Sequence, residues 1–142
     1  MLKNFFKNQK KENSNNNILV IALLIHAAKI DENYTDVEKK IIIMAITNLK
    51  KISFEEAEKL VKLAEKKVEE SNQIIEFTRE IKKYSMEFRL KIIEIIWKIV
   101  YSDGTSDSYE SNLIRRICGL LYISDKDNGI IKMKIKSSLN KI

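Results

Sequence analysis

The segment from Glu87 to Ser102 places the strongest constraint on the fold, because it is apolar around most of its helical circumference. Its charged residues recur at spacings of four, three and four positions, which puts them in one stripe on an α-helix: Glu87, Lys91, Glu94 and Lys98. Apart from Arg89, the large residues between them are apolar. A helix that is apolar around most of its circumference must be surrounded by other helices. The chain therefore needs several further helices to enclose this one.

The composition supports a helical protein. The 142 residues include no proline and only three glycines, whereas an all-β fold needs many tight turns built from these residues. An apolar fraction of 44% permits a core and argues against a low-complexity or disordered chain. The single cysteine, Cys118, forms no internal disulfide, so nothing requires an oxidising compartment. We expect a cytoplasmic protein.

Helical periodicity continues from residue 18 onward, and capping residues mark several helix starts. Three segments place a capping side chain three positions before a glutamate, at 35–38, 53–56 and 107–110. The pattern predicts an all-α, single-domain bundle of seven helices, at 18–30, 36–50, 54–70, 73–84, 87–102, 107–121 and 125–138. Two of them carry one apolar stripe each and are predicted to lie on the surface, at 54–70 and 73–84.

The net charge of +6 lies at the two ends of the chain. Residues 1–17 hold four lysines against one glutamate, and residues 125–142 hold five lysines against two aspartates. We expect a disordered basic tail at 1–17, a helical domain at 18–138 and a short C-terminal tail at 139–142. The apolar run at 18–28 is shorter than the roughly 20 residues that span a bilayer, so it is predicted as a core helix. Apolar residues in the basic tail allow at most weak, peripheral membrane contact.

Shifting the sequence by 72 residues superimposes two helix-loop-helix units. Asp31 then falls on Asp103, and Glu38 falls on Glu110, while the apolar positions of the flanking helices also match. The same acidic pair at the same place relative to both helices predicts a pseudo-duplicated bundle, with its two acidic loops at related positions.

Here the sequence resembles a known family. The segments AAKIDENYTDVEKK and VYSDGTSDSYESNLIRRICGLL look like the two acidic helix-turn-helix repeats of the tellurite-resistance TerB family. Between them an acidic helix, an FTREI motif and a long apolar helix ending in an Asp-Gly turn follow in the family's order. The resemblance covers about 18–136 and is to the stand-alone branch of the family. It implies an all-α fold of seven helices, a link to tellurite and chemical stress, and no established enzymatic activity. Metal binding through the acidic loops has been proposed for the family.

The acidic loops are the candidate metal site. Their side-chain oxygens in alternating positions suit a hard cation such as Ca²⁺ or another divalent ion. The candidate ligands are Asp103, Asp107, Glu110, Asp31 and Glu38. Neither loop has the glycine and the terminal bidentate glutamate of an EF-hand, so a complete site needs both loops or water. The second loop is the better candidate, because a glycine follows its first aspartate and takes a left-handed turn without steric cost.

The same residues also have a purely structural interpretation. Glu38 and Glu110 complete capping boxes, and Asp31 and Asp103 accept hydrogen bonds from loop amides. On this interpretation no cation is needed, and no cofactor is predicted with certainty. Both interpretations stay open at this point.

The other chemically distinctive residues point to structure. His26 is the only histidine, which excludes a histidine-based zinc site or catalytic triad, and the repeat aligns it with a residue of the polar stripe. We expect it to be partly exposed on its helix. Cys118 is predicted to be a small core residue without redox activity. Gly119 is predicted to permit a close contact between helices.

No pattern indicates catalysis or specific recognition of nucleic acid. Five cationic residues near the C-terminus are not accompanied by a nucleic-acid-binding motif: Arg115, Arg116, Lys132, Lys134 and Lys136. We therefore expect a non-enzymatic stress-response module that binds a protein partner and is modulated by a divalent cation at the acidic loops. The alternatives are a dedicated Ca²⁺ or divalent-metal-binding protein and, less favoured, a nucleic-acid-binding helical domain.

Overall fold

Helices make up nearly all of the described chain. The computed structural model describes residues 16–29, 34–71, 73–103 and 108–139, the side chains of 103, 108–110 and 139 excepted. Seven α-helices and no strand occur within these ranges, which confirms the predicted fold class. The helices are α1 (16–28), α2 (Asp36–Lys50), α3 (Phe54–Glu70), α4 (Ile74–Ile81), α5 (Met86–Val100), α6 (Ser108–Leu120) and α7 (Asp125–Leu139). Most of the two predicted tails lies outside the described residues, namely 1–15 of the first and 140–142 of the second.

The centre of the bundle is formed by α1 and α5. Every residue from Val20 to Ile25 has no exposed surface, and α5 buries seven residues, among them Trp97. The buried residues of α5 leave its charged stripe as the face directed to solvent, so both helices must be covered on several sides, as the apolar pattern predicts. Helix α5 packs against α2, α6 and α7. None of the helices in the described ranges is long and apolar enough to cross a membrane.

The predicted duplication appears in the helix boundaries. The end of α1 at residue 28 and the end of α5 at Val100 are separated by 72 residues. The starts of α2 at Asp36 and α6 at Ser108 have the same separation. The two helix-loop-helix units therefore place their loops at equivalent positions in the chain.

The surface helices follow their predicted apolar stripes. Five residues of α3 and three of the predicted stripe on α4 are buried: Ala57, Leu60, Val61, Ala64, Val68, Ile74, Phe77 and Ile81. Helix α4, however, ends three residues earlier than predicted. The amides of Lys83 and Tyr84 donate to the carbonyls of Glu80 and Ile81 over 3.2 and 3.0 Å, forming a tight turn. Ser85 then caps α5, since its hydroxyl accepts from the Phe88 amide.

Long side chains close the end of the bundle where α2, α4 and α6 terminate. Lys50 extends over the stacked rings of Tyr84 and Phe88, with its Nζ atom 4.7 and 4.9 Å from the two ring centres. Arg89 donates through Nη1 to the carbonyl of Leu121 over 2.6 Å. These contacts join α5 to the C-terminal ends of α2 and α6.

The prediction for Gly119 is wrong. This residue is exposed on α6, and a Cβ atom added there would meet no atom within 4 Å. The glycine therefore brings no two helices together. The neighbouring apolar residues, which do face the core, misled the prediction.

Candidate functional site

The first acidic segment leads into α2 through a complete capping box. The Glu38 amide donates to Oγ1 of Thr35 over 3.1 Å, and the Thr35 amide donates to Oε1 of Glu38 over 2.9 Å. The Thr35 hydroxyl also donates to that carboxylate over 3.0 Å. The Glu38 side chain is buried, with 7% of its surface exposed. The structural role predicted for Glu38 is thus confirmed, and its carboxylate is engaged with the start of its own helix.

Carboxylates and lysines surround this cap. Lys39 and Glu65 form an ion pair of 2.9 Å that joins α2 to α3. Burial raises the pKa of Tyr34, and the nearby carboxylates of Glu65, Glu38 and Asp36 raise it further. The Tyr34 hydroxyl is buried, and the described residues offer it no hydrogen-bond partner. Glu38 therefore shares its surroundings with other carboxylates as well as with Thr35.

The structure does not describe the side chains of the other four predicted metal ligands. Asp31 and Asp107 lie outside the described residues, and Asp103 is described only through its backbone, at the end of a short 3₁₀ helix. Glu110 lies in the first turn of α6, and its side chain is outside the described set, as is the predicted capping box at 107–110. Within the described ranges, no group of three or more potential ligand side chains comes together. The proposal of a metal site therefore stays a prediction.

His26 and Cys118 have the surroundings expected of structural residues. His26 is half-buried against Phe77, and burial together with the positive charge of Arg116 lowers its pKa. Cys118 is buried with 1% of its surface exposed. Burial, and secondarily the charge of Asp125, raises the pKa of its thiol to about 12. A thiol with this pKa is almost entirely protonated at neutral pH and is a weak nucleophile.

Two of the basic residues near the C-terminus are engaged within the fold. Lys132 lies over the ring of Trp97 at 5.1 Å, and Lys134 lies 3.5 Å from Glu94. Both therefore contact α5 from α7. Arg115 and Arg116, on α6, are exposed. These cations do not share one helix, and two of them are directed at α5.

An open groove lies between α2 and α5, and sequence analysis does not predict it. Its volume is about 420 Å³. Its lining comes from these two helices alone and consists of Ile41, Met44, Ala45, Asn48, Leu49, Lys91, Glu94, Ile95 and Lys98. Met44 is 51% exposed, and Val37, two turns earlier on the same stripe of α2 and just outside the lining, is 60% exposed. The α2 side of the groove thus presents apolar surface to solvent.

The α5 side of the groove carries the charged stripe identified in the sequence. The Glu94 carboxylate forms ion pairs with two lysines, with Lys98 of its own helix at 3.9 Å and with Lys134 of α7 at 3.5 Å. The described residues offer no carboxylate within ion-pair distance of Lys91. Glu94 thus pairs with two lysines while Lys91 stays without a carboxylate partner, which leaves this rim with a positive excess.

The available sequence signal for the groove lies in α2. Its segment IIIMAI is apolar at six consecutive positions, more than one buried face of a surface helix needs. Ile42, Ile43 and Ile46 face the core, which leaves Met44 and neighbouring apolar atoms outside. The excess of apolar residues indicates a second apolar face, but periodicity alone does not show which helix borders it.

A second cavity lies between α1, α3 and α4 and is more polar. It has a volume of about 520 Å³, and Lys67 and Glu76 on its wall form an ion pair of 3.1 Å. The pKa of Glu76 is lowered by its hydrogen bond with Lys67 and then by that with Ser71. The charged groups of this wall thus contact one another, in contrast to the apolar floor of the groove.

Comparison with known proteins gives one family. The family model described as "Tellurite resistance protein TerB" matches residues 17–133. This range covers most of the chain, including α1 to α6 and much of α7. No curated protein and no solved structure matches the chain.

Proposed function

The chain belongs to the TerB family of tellurite-resistance proteins, and on that premise we propose that it is a non-enzymatic module that binds a protein partner in the cytoplasm under chemical stress. The tellurite-related role follows from family membership. The binding role and the lack of catalysis go beyond what family membership shows.

The groove between α2 and α5 is the observation that carries this proposal. Met44 and Val37 leave more than half of their surfaces exposed on one stripe of α2, beside the half-buried Ile41. Single exposed apolar side chains are common on protein surfaces, but exposed apolar side chains beside a concave groove are typical of an interaction site. The core needs no contribution from these side chains, because Ile42 and Ile46 already fill the inner face of the helix.

A divalent cation at the acidic loops is proposed as a modulator of this surface. The first loop leads directly into the Thr35–Glu38 cap, and the helix that begins there also lines the groove. A cation held by Asp31 and Glu38, together with Asp103, Asp107 and Glu110, would stabilise the start of α2. A dedicated cation-binding function is the alternative, and it is supported by the equivalent chain positions of the two loops.

Survival under tellurite tests the proposed function. In cells whose tellurite tolerance requires this chain, Met44→Lys is expected to reduce tolerance while the protein level stays unchanged, because a charge would occupy the apolar floor of the groove. Met133→Lys is the matched control. Met133 is 59% exposed on α7 and does not line the groove.

The two variants separate the possible outcomes. Equal tolerance for wild type and Met44→Lys, at equal protein level, would show that the groove has no role in resistance. Equal losses for both methionine variants would point to general destabilisation and would also contradict the proposal. A loss confined to Met44→Lys supports a partner at the groove.

A further inference from the structure

The groove also indicates the chemistry of its partner. We infer that it binds an amphipathic helix of another protein, whose apolar face contacts α2 and whose flanking carboxylates contact the lysines of α5 and α7. This inference rests on the proposed function, and it adds the partner's shape and charge.

The dimensions of the groove suit a short helix. The lining of α2 runs from Ile41 to Leu49, and that of α5 runs from Lys91 to Lys98. At 1.5 Å per residue each wall is about 10–12 Å long, which corresponds to two turns of a docked helix. A helix that lies in such a groove presents apolar residues at positions i, i+3, i+4 and i+7.

The charges at the rim of the groove determine which charge its partner should carry. Lys98 and Lys134 pair with the carboxylate of Glu94, whereas Lys91, which also lines the groove, has no carboxylate partner among the described ion pairs. Glu87, one turn before Lys91, lies outside the lining of the groove. A partner with carboxylates beside its apolar face would complement the excess lysines, whereas a basic partner would be repelled.

Two occupants from this chain fit less well. The basic segment at 1–17 holds four lysines against one glutamate, so it has the same sign as the rim. The acidic helix α3 has the required charge, with six carboxylates against four lysines. The apolar stripe of α3, however, is buried within its own fold and consists of Ala57, Leu60, Val61, Ala64 and Val68. A second copy of the chain therefore cannot present this stripe to the groove without unfolding.

A selection with displayed peptides tests the inference on the full chain. The library consists of 18-residue amphipathic helices with fixed apolar positions and flanking positions randomised between Glu, Lys and Gln. It is selected on the wild-type chain after depletion on Met44→Lys, so that the retained peptides depend on the groove. We expect enrichment of Glu at the flanking positions, and binding of the selected peptides that weakens as salt is raised.

Charge reversal at the rim provides the second measurement. The double variant Lys91→Glu with Lys98→Glu is expected to bind the selected acidic peptide at least about tenfold more weakly than wild type and to favour its lysine counterpart. The matched control is Lys59→Glu with Lys62→Glu, which changes the net charge equally at exposed sites of α3 outside the groove. Circular dichroism verifies that both variants are folded.

Each outcome decides the inference. Enrichment of neutral or basic peptides would overturn the negative charge assigned to the partner. Equal losses of peptide affinity in the two double variants would overturn it as well. No peptide that depends on Met44, or a concentration-dependent dimer that Met44→Lys abolishes, would overturn the assigned occupant. The tolerance assay with Met44→Lys separately decides whether the groove functions at all, so the two proposals can fail independently.

Discussion

The indole nitrogen of Trp97 donates a hydrogen bond of 2.9 Å to Oδ1 of Asn128, which joins the central helix α5 to α7. Trp97 is 1% exposed, its ring stacks on that of Tyr101 with the ring centres 5.6 Å apart, and the Lys132 ammonium lies over it. A buried indole N–H usually requires an acceptor, and one polar residue of α7 supplies it. Trp97 is also the only tryptophan and reports on this contact by fluorescence.

Removal of this acceptor should destabilise the protein. We expect Asn128→Leu to lower the free energy of unfolding by about 1–3 kcal/mol, because it leaves the buried N–H of Trp97 without a partner. Urea unfolding followed by tryptophan fluorescence measures the effect. Asn128→Asp, which retains an oxygen acceptor, is the control and should lose less of the free energy of unfolding. Equal stability of Asn128→Leu and wild type would mean that the hydrogen bond makes no net contribution.

The cap at the start of α2 should contribute measurably to stability. Thr35→Ala is expected to cost about 1 kcal/mol in the free energy of unfolding, since it removes the acceptor of the Glu38 amide. Thr47→Ala serves as the comparison, because the Thr47 hydroxyl donates only to the Met44 carbonyl within the same helix. Alanine has the higher helix propensity, so this change should be neutral or slightly stabilising. Equal losses of stability in the two variants would contradict a specific capping role for Thr35.

A cation at the acidic loops should raise the melting temperature. We expect a saturable increase when Ca²⁺ is added to the EDTA-treated protein, since a ligand at 100 times its Kd stabilises by about 2.7 kcal/mol, or several degrees. The double variant Asp103→Asn with Glu110→Gln should lose this response. Mg²⁺ and Zn²⁺ titrations establish which ion is preferred. If no ion shifts the midpoint, the acidic residues are caps and turn residues, and cation modulation is excluded.

The buried thiol should make stability sensitive to alkali. The folded state raises the pKa of Cys118 from 9.0 to about 12, so it favours the neutral thiol. Its contribution to stability is therefore fully present below pH 9 and is lost as the pH rises toward 12. We expect Cys118→Ala to lose less stability than wild type between pH 8 and pH 10.5, measured as the change in urea midpoint. An identical loss in both proteins would show that the thiol does not titrate differently on folding.

Thiol labelling checks the same residue independently. Cys118 should react slowly with a disulfide reagent at pH 8 and rapidly once urea unfolds the chain, because burial both blocks access and suppresses the thiolate. Fast labelling of the folded protein would place the thiol at the surface and contradict its position in the core.

The helices themselves were accessible to sequence reasoning. The apolar circumference of the segment around Trp97 predicts a central helix, and the Thr35–Glu38 spacing predicts a cap, which the structure shows with both reciprocal bonds. These features depend on residues three or four positions apart, so local periodicity is sufficient to detect them. The early end of α4 was missed because Tyr84 continues the apolar stripe into a turn.

By itself, the sequence determined the helical class, the duplication at an interval of 72 residues, the family resemblance and most of the buried stripes. Only the tertiary structure decided which surfaces meet: that α2 lies beside α5, that Met44 remains exposed there, and that Lys134 reaches Glu94 from a third helix. Helix formation and capping are set by near neighbours in the chain, whereas a groove is set by how two distant helices pack. Its lining residues lie about fifty positions apart, and no period within either helix encodes that pairing.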